Sequence, residues 1–127
     1  MGAWDIRTLQ NDEALDAMWQ ISKKPATLDT IRKALSDESI DVKLIGISMV
    51  TTAIENEVDE KTFGSLYDYE DFFAQFKDIE LDATIVDTAL DTLEYVKKYD
   101  YNWFGESAIE RDNFLDRLRK ILKSYKD

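Results

Sequence analysis

The sequence predicts an all-α fold, an irregular bundle of five or six helices, and a single domain that spans residues 1–127. Apolar residues recur at helical spacing in most segments, and residues that cap helices precede several of them. No internal repeat or long linker divides the chain, and 127 residues with 44% apolar content can bury a core. The alternative is an α+β fold with a small hairpin near residues 40–50.

Two short helices are expected first. Asn11 is a candidate cap, because the acids at positions 12 and 13 fall where the positive end of a helix dipole favours them. This helix ends at the Lys-Lys-Pro sequence at 23–25, and Thr27 caps the second helix, which continues to 36–37. The predicted apolar faces are Ala14, Leu15, Met18, Trp19, Ile21 and Ser22 in the first helix, and Leu28, Ile31 and Leu35 in the second.

The third segment, from about Ile40 to Glu57, allows two interpretations. A helical stripe consists of Ile40, Leu44, Ile47, Thr51, Ile54 and Val58. Ile45, Ile47 and Met49 around Gly46 also suit a β-strand. Length favours a helix, because strands usually have only about 5–6 residues, although Gly46 weakens a helix by ~1 kcal/mol.

Three further elements complete the bundle. Residues 69–76 form a short amphipathic turn or helix with Phe72, Phe73 and Phe76 on its apolar side. A helix from about Asp82 to Lys98 then follows, and the last helix begins with the capping box of Ser107 and Glu110. The predicted core faces are Ile85, Val86, Ala89, Leu90, Leu93 and Val96 in the former, and Phe114, Leu118, Ile121, Leu122 and Tyr125 in the latter.

The composition excludes several kinds of chemistry. Without Cys and His the chain has no disulfide, no thiolate nucleophile, no thiolate zinc site and no Ser-His pair. Asp78, Glu80 and Asp82 have the spacing that begins a calcium loop, but Ala83 and Ala89 replace its Gly and Glu. We therefore interpret Asp78 and Asp82 as helix caps, and we expect no catalytic residue, metal or cofactor.

The net charge of −11 is confined to one segment. Thirteen acids and two lysines lie between Glu55 and Glu94, and the remainder of the chain has fourteen of each sign. Such a chain is unsuited to binding nucleic acid, which requires clustered Lys and Arg. No apolar run approaches the ~20 residues that span a bilayer, and the first residues lack a secretory signal. We expect a cytoplasmic protein with no membrane contact.

Carboxylates that alternate with aromatic residues are typical of a surface that binds a basic protein, since acids steer association and tyrosines supply contact area. The predicted partner-binding residues are Glu57, Asp59, Glu60, Tyr67, Asp68, Tyr69, Glu70, Asp71, Asp87, Asp91 and Glu94. Phe72, Phe73 and Phe76 are interpreted as core, as are the three tryptophans. The bases of the last helix are interpreted as complements to its C-terminus and to the acidic segment.

The two ends of the chain resemble a family of small bacterial proteins, domain-of-unknown-function family 4259. The resemblance rests on Met-Gly-Ala-Trp at 1–4, Asn-Asp-Glu-Ala-Leu-Asp at 11–16 and Trp-Phe-Gly-Glu-Ser at 103–107 before a helix. Asp5 departs from the family, which has Gly there. The resemblance implies an α-helical fold and supplies no catalytic residue. By size, acidity and lack of Cys, the chain is also similar to the immunity proteins of contact-dependent growth inhibition systems.

The sequence thus favours an immunity protein, an antitoxin that neutralises a basic toxin domain with nuclease activity on tRNA, other RNA or DNA. It would cover the toxin's active site or substrate surface, without contacting nucleic acid itself, and would be a monomer or weak dimer when free. Two alternatives are a housekeeping adaptor or homo-oligomeric structural protein, and a carboxylate or metal-dependent enzyme.

Overall fold

The computed structural model describes residues 12–56, 72–98 and 107–126, which contain five α-helices, the helical residues 72–74 and no strand. The helices are α1 (Asp12–Ser22), α2 (Leu28–Leu35), α3 (Ile40–Glu55), α4 (Ala83–Lys98) and α5 (Ser107–Lys126). The all-α prediction is confirmed. The alternative hairpin near residues 40–50 is wrong, because those residues form the first two-thirds of α3.

α3 lies at the centre of the described bundle and packs against each of the four other helices. Its side chains from Leu44 to Thr52 are buried without interruption. A helix that is apolar on every side is typical of an element surrounded by others. The same all-round apolar character made the segment resemble a strand, because burial on all faces removes the helical period from the sequence.

Defined caps set the ends of α3. At its start the Ser39 hydroxyl accepts a hydrogen bond from the Val42 backbone N–H. At its end Asn56 adopts the left-handed conformation, with φ of 59°, that commonly terminates helices. With its amide oriented to satisfy its neighbours, the Asn56 side-chain nitrogen donates to Asp78 Oδ1 at 2.9 Å and to the Lys77 carbonyl at 2.8 Å. The end of α3 is therefore tied to the turn that follows residues 72–74.

Gly46 marks the crossing of α2 over α3. A Cβ atom at Gly46 would lie 3.0 Å from the Leu35 backbone nitrogen and 3.1 Å from both Ala34 Cβ and Leu35 Cδ2. The glycine therefore allows the C-terminal turn of α2 to approach the α3 backbone closely. Lys43 strengthens this junction, since its ammonium donates to the Leu35 carbonyl at 3.2 Å.

Two predicted caps are confirmed. The Thr27 hydroxyl accepts from the Thr30 N–H at the start of α2, at 3.4 Å. Asp82 Oδ1 accepts from the Ile85 N–H at the start of α4, at 2.8 Å. The other oxygen of Asp82 pairs with Arg32 of α2 at 3.0 Å. One carboxylate thus both caps α4 and links it to α2.

The predicted core is largely confirmed. Phe72, Phe73 and Phe76 are buried, and their rings pack with centroids 4.9 Å (Phe72 and Phe73) and 5.6 Å (Phe72 and Phe76) apart. In α4, five of the six predicted core residues are buried and Leu90 is partly buried.

Two aromatic assignments are wrong. Trp19 is 60% exposed, with the Lys23 ammonium 3.5 Å from the centroid of its ring. Tyr125 is 40% exposed, and its hydroxyl donates to the Leu81 carbonyl at 3.1 Å. Among the α5 side chains that the structure describes, the buried stripe consists of Leu115, Leu118 and Leu122, so Leu115 was missed, while the predicted core residue Phe114 lies outside them.

α4 and α5 are antiparallel neighbours. Tyr125 near the end of α5 meets Leu81 just before α4, whereas Asp116 pairs with Lys97 at the end of α4, at 3.1 Å. No helix in the described part of the chain is long and apolar enough to span a membrane.

We predict that Gly46→Ala destabilises the protein by about 1–3 kcal/mol, because the new methyl group overpacks the contact with Leu35. Helix propensity alone would give the opposite sign, a stabilisation of up to about 1 kcal/mol. Urea unfolding measures the difference. Ala53→Gly, at a partly buried site of the same helix, is the control for the backbone cost of glycine. A more stable Gly46→Ala variant would contradict the close crossing.

We predict that Ser48→Ala leaves stability unchanged or raises it by up to about 1 kcal/mol, because the Ser48 hydroxyl is fully buried and has no hydrogen-bond partner among the described residues. Thr30→Val is the matched control, since the buried Thr30 hydroxyl donates to the Pro25 carbonyl at 2.7 Å. Loss of this hydrogen bond should lower the free energy of unfolding by about 1 kcal/mol. Thermal unfolding of both variants checks the contrast, and equal destabilisation would show that Ser48 Oγ has a partner.

Candidate functional site

The candidate site is the outer face of α4, which carries the described members of the predicted partner-binding set. These members are Asp87, Asp91 and Glu94. The other predicted residues lie outside the described part of the chain: Glu57, Asp59, Glu60, Tyr67, Asp68, Tyr69, Glu70 and Asp71. The structure therefore describes only the C-terminal part of the predicted surface.

Asp87 and Asp91 are one helical turn apart and both are exposed. The buried positions of α4, such as Ile85, Ala89 and Leu93, lie on the opposite side of the helix. Because residues four apart in a helix are neighbours, the two carboxylates form a continuous acidic edge. In residues 12–56, 72–98 and 107–126 no cationic group lies within ion-pair distance of Asp91.

Glu94 differs from Asp91 in its surroundings. Its Oε2 lies 3.4 Å from Nε of Arg119 on α5, without meeting the geometry of a hydrogen bond. Both side chains are about half exposed, so water screens this ion pair. With the pair of Lys97 and Asp116, it forms the polar seam between α4 and α5. The Glu94 carboxylate therefore faces α5. The strength of its ion pair with Arg119 decides how far Glu94 is available to a partner that binds the outer face of α4.

Threonines and a tyrosine flank the acidic edge. The Thr88 and Thr92 hydroxyls donate to the carbonyls one turn earlier, of Thr84 and Thr88, at 2.9 and 2.8 Å. Tyr95 is 52% exposed, and the Lys43 ammonium lies 5.4 Å from the centroid of its ring. Tyr95 was missed in the sequence, although its place four residues after Asp91 could have assigned it to the same face.

A second polar region lies on the outer side of α5. It is a groove of about 620 Å³, which we call the α5 groove, and its described lining is Asn113, Asp116, Arg117, Arg119, Lys120 and Lys123. The interpretation that the α5 bases complement the acidic segment is confirmed for Arg119, which pairs with Glu94. A groove formed by the remaining bases was not predicted.

The described residues contain no group of three or more acidic side chains placed to hold a metal ion. A smaller cavity of about 80 Å³ lies beside α1 and α2, where Ile21, Thr30 and Val42 are among its lining residues. Asp82, the last acid of the sequence that resembles a calcium loop, is engaged by the Ile85 N–H and by Arg32. In the described residues the candidate site is thus a set of exposed charged side chains.

No protein-family model, curated protein or solved structure matches this chain. The resemblance to domain-of-unknown-function family 4259 stays a prediction, and most of the residues that carry it, at 1–5 and 103–106, lie outside the described part of the chain. The α4 face must therefore be interpreted from its own geometry and charge.

We predict a coupling free energy of about 0.2–1 kcal/mol between Glu94 and Arg119, because half-exposed ion pairs are weak. A double-mutant cycle of Glu94→Gln and Arg119→Gln, measured by urea unfolding, gives this value. The more exposed pair of Asp29 and Lys33, four residues apart in α2, serves as the reference. A coupling above about 2 kcal/mol, outside the range of exposed pairs, would mean that Arg119 holds Glu94 too firmly for a partner to recruit it.

Proposed function

We propose that this chain is an immunity protein that binds and neutralises a basic toxin domain, a nuclease, in the bacterial cytoplasm. The observation that carries the proposal is the confinement of the whole net charge to residues 55–94, with Asp87 and Asp91 exposed side by side on α4. A nuclease active site is basic because it holds phosphates, so an acidic face complements it.

The mechanism is steric and electrostatic. The acidic edge of α4 attracts the basic cleft of the toxin and orients the approach, because charge complementarity acts mainly on the association rate. Tyr95 stands beside that edge, half exposed, and can fill a pocket at the interface. Binding then keeps nucleic acid out of the cleft. The toxin's substrate need not touch the inhibitor at all, and no catalytic group is required on this chain.

The rigidity of the α4 face supports this role. Asp87 and Asp91 lie on a helix whose opposite side is anchored by Ile85, Ala89 and Leu93 in the core. The N-terminus of α4 is fixed by Asp82, and its C-terminal part is held by the seam with α5. Side chains presented by a rigid element lose less freedom on binding than those on a mobile loop, which favours affinity.

We predict that the double substitution Asp87→Lys with Asp91→Lys slows association with the toxin by about tenfold or more at low salt and flattens its salt dependence, because it removes the steering charge. The binding partner for the measurement is the purified C-terminal domain encoded by the gene immediately upstream. Stopped-flow association rates at several salt concentrations give the result, and growth rescue in cells that express that domain gives a second readout.

The matched control is Asp16→Lys with Glu38→Lys, which changes the net charge equally at exposed sites away from α4. This control should lower the association rate only slightly. If both double variants slow association equally, the overall charge and not the α4 face steers the encounter. If neither has an effect, or if the upstream product does not bind, the proposal is wrong.

A further inference from the structure

The α5 groove concentrates positive charge on a protein that is otherwise acidic. Its described lining includes four cationic side chains, Arg117, Arg119, Lys120 and Lys123, and a single carboxylate, Asp116. That carboxylate is already paired with Lys97 of α4 at 3.1 Å. Within the described lining, the positive charges of Lys120 and Lys123 are therefore not balanced by this acid.

Two features of the groove would allow it to bind an anion. Lys120 and Lys123 are exposed, and in the described residues neither forms an ion pair or a hydrogen bond. Arg119 Nε is buried and has no hydrogen-bond acceptor in the part of the chain that the structure describes, although Glu94 Oε2 lies only 3.4 Å away. A buried donor without an acceptor is unfavourable, and a small shift of the guanidinium toward an anionic ligand would satisfy it.

We propose that the α5 groove binds a compact ligand that carries two or three phosphate groups, such as the phosphate chain of a nucleotide. Arg119 contributes the planar fork that suits phosphate oxygens, while Lys120 and Lys123 supply point charges one turn apart on the same side of the helix. The volume of about 620 Å³ falls within the range of small-molecule sites. This proposal goes beyond the immunity function and does not depend on it.

The neighbourhood of the groove favours a compact ligand over a nucleic acid strand. From Asn113 to Lys123 the groove extends about 15 Å along α5, at ~1.5 Å for each residue. Across the seam lie Glu94 and then Asp91 of α4, so a longer polyanion would run onto like charge. With a net charge of −11, the rest of the molecule repels an extended strand.

The α5 groove is also linked to the acidic edge of α4 through the ion pair of Arg119 with Glu94. A phosphate that recruits the Arg119 guanidinium withdraws it from Glu94, whose negative charge is then no longer offset by Arg119 at the seam. Ligand binding in the α5 groove therefore increases the negative potential beside Asp91.

The test is a titration of the full chain with inorganic tripolyphosphate at low salt, followed by two-dimensional amide NMR and by calorimetry. We expect saturable shifts of amide signals concentrated in residues 113–123. Lys120→Gln with Lys123→Gln should weaken binding at least tenfold, and Arg119→Lys, which keeps the charge but removes the fork, should weaken it several-fold. Thermal unfolding confirms that the exposed substitutions leave the fold intact.

Lys24→Gln with Lys33→Gln is the matched control, because these lysines line the 80 Å³ cavity, which is too small for the ligand. It should leave the affinity unchanged. Equal weakening by both double variants, or no saturation at millimolar tripolyphosphate, would overturn the proposal. The same titration with ATP tests whether the groove also binds a nucleotide. A single-stranded RNA of twelve nucleotides that bound more tightly than tripolyphosphate would also overturn the choice of a compact ligand.

Discussion

The burial of α3 on all sides is the constraint on which the rest of the structure depends. Nine consecutive residues, from Leu44 to Thr52, are removed from water, so each neighbouring helix covers part of one continuous buried surface. Gly46 brings the end of α2 against the α3 backbone. α4 and α5 cover other parts of the same helix, which places the acidic face and the α5 groove next to each other.

The polar surface follows from this packing. Since α4 and α5 both turn their apolar stripes toward α3, their charged residues meet along the outer seam, where Glu94 pairs with Arg119 and Lys97 with Asp116. Asp87 and Asp91 continue outward on the α4 side, and Lys120 and Lys123 on the α5 side. A chain with a large net charge thus presents two regions of opposite sign on one side of its bundle.

Local patterns in the sequence predicted most of the fold. The apolar spacing of α4 and the caps at Thr27 and Asp82 depend on neighbouring residues alone, and they were found. Segment 40–50 was ambiguous because burial on all sides removes the helical period. Trp19 was assigned to the core by residue type, whereas its exposure depends on which side of α1 faces α3. The α5 groove required the relative placement of helices, which no local pattern contains, and most of the predicted acidic surface lies outside the described residues.

The packing around α3 also determines which helices unfold together and which can detach alone. Helices α2, α4 and α5 touch α3 and one or more of each other, so none of these helices can leave without exposing part of a shared core. α1 packs chiefly on α3 and contributes a single buried apolar side chain among those that the structure describes, Met18. Local opening reactions in proteins begin where few buried contacts hold an element. The amide protons of α1 should therefore exchange with solvent through detachment of that helix alone, while those of α3 exchange only when the whole bundle unfolds.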